Sequence, residues 1–225
     1  MKIEEIGKFL QEIQHLCIDA RDGFSNKYGW QKGDARWAVF NKCSSVLITI
    51  GLGLVFLERH LTQRKWWEEN STLPFTDQTI IDVSQEFEMF LRIGLIQNLM
   101  YSVESSLRVF LRSLNPSACK KGNAEFQSIF RCLLKMIDLP NHLTILDLWR
   151  NIRNVMHNNG LFMSPNGQDI VVEHKSKRYE FKVGQPISFL NTALLMELTP
   201  DMLHLIIDVV NSEKIRSQAS IQEPI

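Results

Sequence analysis

Residues 147 to 160 read Asp-Leu-Trp-Arg-Asn-Ile-Arg-Asn-Val-Met-His-Asn-Asn-Gly, the densest run in the chain of polar side chains able to do chemistry. An imidazole titrates near neutral pH, so His157 can take a proton from an attacking hydroxyl or give one to a leaving oxygen. A guanidinium such as that of Arg150 can hold a phosphate and stabilise the charge that builds on it during reaction. Together the two suit cleavage of a phosphodiester in RNA, where the 2′-hydroxyl is the nucleophile and no metal or other cofactor is required. If the run is helical, Arg150 and His157 fall about 20° apart around the axis and roughly 10 Å apart along it. Asn154 then projects between them and Arg153 lies at their edge. Ile145, Leu148, Trp149, Ile152, Val155 and Met156 form an apolar stripe on the other side, so the polar face is expected to point away from its own core. The helix C-terminus favours a charged imidazolium, which inclines His157 towards general-acid duty. The same residues also suit a well-terminated helix, with cations in the last turn and Asn158-Asn159-Gly160 after it.

Arg150-Asn151 with His157 further on resembles the R-x(4–6)-H signature of the HEPN superfamily, in which a polar residue often follows the arginine. The resemblance covers roughly residues 78 to 215. It implies an α-helical bundle that dimerises so that two such helices face a shared cleft, with Arg150 and His157 as the catalytic pair and Asn151 helping to orient them. The implied activity is metal-independent endoribonuclease cleavage leaving a 2′,3′-cyclic phosphate, as in a toxin or phage-defence effector restrained by an antitoxin or regulatory protein. Other members of the superfamily are catalytically silent, so a helical interaction or RNA-binding module is the alternative expectation.

Glu104 and Arg108 stand four apart and read as a surface ion pair. The functional alternative places Glu104 across from Arg150 or Arg153, orienting a guanidinium in the cleft. For RNA contact the chain offers Arg108, Arg112, Lys120 and Lys121 in a stretch without acids, and Lys175, Lys177 and Arg178 at a turn. Phosphate contacts there would weaken as salt rises. Basic turn residues also serve solubility alone, and Tyr179 and Phe181 alternate as though facing a core rather than stacking on bases.

The elements that must position these residues are mostly helices. Apolar positions recur at helical spacing from Lys2 to about Asp22, and a second helix runs over about 37–60. Its stretch Cys43 to Leu57 carries no charge, but fifteen residues span only about 22 Å, short of the roughly 30 Å hydrocarbon layer. A buried helix is therefore favoured over a membrane anchor. One long segment follows from Asp77 to Leu114, then helices over about 124–137 and from Leu143 to the Asn158-Asn159-Gly160 stop. Period-2 alternation marks a β-hairpin over 169–183, and a last helix runs from about Pro200 to Glu213. The expected architecture is mainly α, a HEPN-like helical bundle with a small β-hairpin near the C-terminus. Residues 1–70 read as an N-terminal extension, 78–215 as the main domain, and 216–225 as a frayed tail.

Composition narrows the field further. Hydrophobic residues make up 44%, which excludes a disordered chain, and 25 basic residues balance 25 acidic ones, so no global field attracts a polyanion. Nucleic-acid binding would have to be local. Four scattered cysteines without C-x-x-C spacing, and no apolar stretch right after Met1, point to a reduced cytoplasm. No G-x-x-x-x-G-K-[ST], G-x-S-x-G or H-E-x-x-H motif occurs, so nucleotide triphosphate hydrolysis, serine hydrolysis and zinc proteolysis have no support.

Overall fold

A computed structural model of the chain describes residues 3–118, 125–164 and 166–223. These residues form α1 (Ile3–Tyr28), α2 (Ala35–Phe56), α3 (Arg64–Asn70), α4 (Asp77–Leu114), α5 (Phe126–Met136), α6 (Leu143–His157), β1 (Ile170–His174), β2 (Lys177–Phe181), α7 (Thr192–Asn211) and α8 (Glu213–Arg216). The molecule is mainly α with one small antiparallel hairpin late in the chain. Lys120 and Lys121 lie outside the described residues.

The 38-residue α4 is the spine, opened by a capping box in which Thr76 and Thr79 satisfy each other's backbone amides. It packs against α2 on one side and against α5 and α6 on the other. One continuous core joins Leu10, Phe40 and Leu47 of the first two helices to Leu99, Phe110, Trp149 and Ile206. The first two helices therefore share the core of the rest of the chain.

The apolar α2 buries its inner face through Val39, Cys43, Leu47, Ile50 and Leu54 against α1 and α4. Ala35–Leu61 is nonetheless long and apolar enough to cross a membrane by composition, and its outer face leaves Leu52 at 63% exposure. Close approach of α2 to α4 depends on Gly53: a Cβ there would lie 2.5 Å from Cδ2 of Leu91, itself buried. Gly53→Val is expected to cost about 1–3 kcal/mol through overpacking, which exceeds the few tenths gained in helix propensity. A denaturation midpoint equal to or above wild type would show that Leu91 has room to move.

Helix α3 falls where the sequence reading has no helix, and three further segments differ from expectation because tertiary contacts override a local signal. Helix α1 runs past Asp22-Gly23 to Tyr28 because Phe24 and Tyr28 join a ring cluster with Trp30 and Phe40; Gly29, at φ 73°, ends it. Helix α7 starts at Thr192, capped by Asn191, whose side chain accepts from the Leu194 amide at 2.9 Å, and it carries Pro200 inside. Burial of Leu194, Leu195, Met196 and Leu198 extends the apolar stripe upstream and offsets the roughly 3 kcal/mol that an internal proline costs. The polar tail, expected to fray, is held through residue 223: Ala35 donates to the Ile221 carbonyl at 2.7 Å, Glu223 donates to the Gly33 carbonyl at 2.9 Å, and Ile221 is buried.

The hairpin follows its pattern. Ile170 pairs with Phe181 and His174 with Lys177, and the two turn residues Lys175 and Ser176 both have positive φ, as a two-residue primed turn requires. Tyr179 and Phe181 are buried against the bundle, where they meet the ring of Phe189.

Candidate functional site

Helix α6 starts after a short turn at Pro140–His142 and ends where the Gly160 amide donates to the Val155 carbonyl at 2.9 Å, with Asn159 and Gly160 at φ 53° and 83°. Its apolar stripe is buried against the core, so the other face is left for chemistry. His157 lies exposed in the last turn.

A solvent-open groove of about 500 Å³ runs between this face and the carboxyl half of α4. Helix α4 contributes Gln97, Asn98, Tyr101, Glu104, Ser105 and Arg108 at i, i+4, i+7 spacing; α6 contributes Arg153 and His157. Glu104 joins the two sides. Its Oε2 accepts from Arg153 Nη1 at 2.5 Å, and its Oε1 accepts from Arg108 Nε at 3.1 Å. Burial pushes the Glu104 carboxyl up, but hydrogen bonds and charge from Arg108 and Arg153 outweigh it and hold the group below its usual range. A carboxylate depressed in the folded state contributes stability above its unfolded pKa, and that contribution is lost as pH falls through the folded value. Glu104→Gln is therefore expected to flatten the acid limb of the stability profile; an unchanged limb from pH 5 to 3 would contradict this.

Arg150 does not line the groove. Its side chain is 20% exposed and turns towards α5, with Nε 3.8 Å from Asp147 Oδ1. Asp147 is already occupied by Gln127 Nε2 at 3.0 Å and Arg131 Nη2 at 2.9 Å. Arg150 Nε is buried with no hydrogen-bond partner among the described residues. Burial draws the guanidinium pKa below its ordinary value, Asp147 opposing and Arg131 adding to the effect. Shared angular position was thus not enough to bring Arg150 and His157 into one cavity: seven residues of rise put Arg150 beside α5, whereas Arg153, one turn from His157, reaches α4. Asn151 is 2% exposed and its Nδ2 also lacks a partner. Asn154 is half-buried beside Arg153, and its carbonyl accepts from the Asn158 side chain at 2.8 Å.

The basic residues do not gather in one place. Arg108 is in the groove with Glu104, while Arg112, one turn on, is exposed and has no partner among the described residues. The hairpin cations sit near the start of α6, where Thr144 Oγ1 meets His174 Nδ1 at 3.1 Å, about 20 Å from His157 by helical rise. Each is matched by an acid: Lys175 with Asp201 at 2.5 Å, Lys177 with Glu197 at 2.7 Å and Arg178 with Glu180 at 3.3 Å. The first two contacts clip the hairpin to α7, and the third lies within β2.

Tyr101, Gln97, Asn98 and Ser105 were not singled out from sequence, although their helical spacing from Glu104 and Arg108 was available as a signal. Among the described residues no group of three His, Cys, Asp or Glu side chains could hold a metal ion. The groove can place an anion between two arginines oriented by one carboxylate, beside an exposed imidazole. The chain matches no family model, no curated protein and no solved structure.

Proposed function

We propose that the chain is a metal-independent endoribonuclease of HEPN type acting in the α4/α6 groove. The observation that carries this reading is the convergence of His157, Arg153 and Arg108 in one cavity, with Glu104 fixing both guanidinium groups. The 2′-hydroxyl attacks the adjacent phosphorus, the bond to the 5′-oxygen breaks, and a 2′,3′-cyclic phosphate and a 5′-hydroxyl end result. His157 gives a proton to the leaving 5′-oxygen, and the proton of the 2′-hydroxyl passes to solvent. Arg153 holds the phosphate and meets the charge of the transition state. The HEPN resemblance assigns the guanidinium role to Arg150; the groove geometry favours Arg153. Incubating the purified chain with single-stranded RNA in EDTA tests the reading through the chemistry of the ends. Intact RNA, or ends other than cyclic phosphate, would reject it.

A homodimer belongs to the proposal. The solvent side of α4 lines the groove with polar side chains in its carboxyl half, and in its amino half it carries exposed Met89 and Phe90 beside partly exposed Phe87, among exposed Gln85 and Glu86. Phe87 lies 6.2 Å from Phe56 of α2 and 6.3 Å from Phe90, ring centre to ring centre. Phe90 is 67% and Met89 57% exposed, and a cluster of exposed apolar side chains marks an interaction surface. A second copy seated there would lie next to the groove. Phe90→Glu is expected to convert a dimer to monomer by light scattering without loss of thermal stability. A wild type that stays monomeric at about 100 µM, a concentration well above the Kd of most specific complexes, would remove the dimer from the proposal.

A second reading, a catalytically silent RNA-binding or interaction module, is favoured by Glu104 itself, which cancels part of the charge of two arginines. It predicts that His157→Ala and wild type behave alike.

A further inference from the structure

On the side of the α6 C-terminus away from Arg153 lies a second cavity, of about 560 Å³, a size suited to a small planar ligand. Its walls are apolar: Ile93 and Ile96 of α4, Val155 and Met156 of α6, and Ile187 and Leu190 of the segment before α7. That segment is fixed in place, by the bridge between Leu161 and Pro186 at one end and by the Asn191 cap of α7 at the other. The cavity is therefore preformed. Three polar side chains line it, of which Asn191 is taken up by the α7 cap and two others stand at the edge. Arg92 is paired with Glu88, and its Nε is buried without a partner. Asn159 is exposed at φ 53° and its amide has no partner among the described residues.

The two cavities meet around the end of one helix. Met156 lines the apolar one and His157, the next residue, lines the groove; on α4, Ile96 and Gln97 are divided in the same way. Each cavity thus holds a guanidinium, Arg153 in the groove and Arg92, ion-paired with Glu88, at the edge of the apolar slot. We propose that this slot takes an unstacked nucleobase of the RNA whose neighbouring phosphate lies at His157 and Arg153, an inference that rests on the RNA-cleaving reading of the groove. The base lies against the Met156 thioether and the isoleucines, and the Asn159 amide bonds its edge, since a side-chain amide offers both a donor and an acceptor. The substrate class is then single-stranded RNA with a base free to leave the stack, and a paired duplex is excluded.

The test uses a short oligoribonucleotide carrying one 2-aminopurine, with anisotropy of a terminal dye reporting binding, against wild type, His157→Ala, Ile187→Glu and Asn159→Gly. Ile187→Glu sets a hydrated carboxylate into the apolar wall without supplying a ring on which the base could stack; Asn159→Gly removes the amide while keeping a residue that tolerates positive φ. The expected result is a change in 2-aminopurine emission on binding to wild type and to His157→Ala. With Ile187→Glu the change is lost, together with a preference for this oligonucleotide over its abasic counterpart of roughly 10- to 150-fold, the worth of burying the apolar surface of one side chain. Asn159→Gly is expected to keep the emission change and to narrow that preference. This variant keeps the test informative if Ile187→Glu misfolds by circular dichroism. An emission change without cleavage by wild type removes the nuclease reading and leaves the base slot standing. Cleavage with unchanged emission on saturation, or with the same emission change in Ile187→Glu, overturns the slot and leaves the nuclease. No binding and no cleavage overturns both.

Discussion

His157→Ala is expected to slow RNA cleavage by about 10²- to 10⁴-fold, the range that a positioned acid or base contributes, with the protein folded and RNA still bound. The imidazole is exposed in the last turn of α6 and makes no contact on which the core depends. Its loss should fall on kcat rather than on KM. Arg153→Ala should cost a comparable factor, because it removes a transition-state contact and also releases Glu104 to pair with Arg108 alone. Arg150→Ala separates the two assignments of the guanidinium role. If Arg153 holds the phosphate, loss of Arg150 disturbs the α5/α6 contact around Asp147 and changes the rate far less than loss of Arg153. Equal or larger loss with Arg150→Ala would return the role to Arg150 and would mean that its side chain turns into the groove when RNA is bound. Expression of wild type and His157→Ala in cells gives a second readout: relief of toxicity by the single substitution supports catalysis, and equal toxicity supports the silent module.

Arg36→Ala is expected to destabilise the chain by about 3–5 kcal/mol, the cost of breaking a buried ion pair from one side. The guanidinium is fully buried. Nε and Nη2 donate to the two oxygens of Asp34 at 2.9 and 2.6 Å, and Nη1 donates to the carbonyls of Ile215, Arg216 and Gln218 at 3.1, 3.2 and 2.8 Å. Its plane lies over the Trp30 ring, 4.3 Å from the centroid. Truncation leaves the Asp34 carboxylate only backbone amides, those of Arg36 and Ile221, and takes the guanidinium donor from three carbonyls. Against a typical total of about 5–15 kcal/mol this is a large fraction. Arg36→Lys should rescue little, since an ammonium cannot serve the carboxylate in bidentate fashion and also reach three carbonyls. The measurement is the urea midpoint with an unchanged slope; a loss under about 1 kcal/mol, the scale of an exposed pair, would show that water replaces the guanidinium freely.

Helix existence was legible because the apolar spacing in α1, α4, α5 and α6 is regular and local, and the hairpin because period-2 alternation is local too. The C-terminal stop of α6 at Asn158-Asn159-Gly160 belongs to the same class: a left-handed residue after the last turn can be read without knowing the neighbours. Pro200 misled for the opposite reason. A proline is a strong local stop, and only the buried stripe upstream of it, set by packing on other helices, shows that α7 continues through it.

The same division runs through the site. Residue types, their order on α6 and the placing of His157 at the helix end are properties of the sequence, since helical period and capping chemistry fix them. Which arginine joins the imidazole is not such a property. Arg150 and Arg153 differ by three residues, and that difference decides whether a guanidinium meets Asp147 beside α5 or Glu104 on α4. The linear chain places Glu104 forty-nine residues from Arg153; only the crossing of α4 over α6 makes them neighbours. Likewise Arg36 and the carbonyls it holds come together because the C-terminal tail folds back on the start of α2. Local periodicity determined the elements, and long-range packing, which no short window of sequence encodes, determined which side chains face one another.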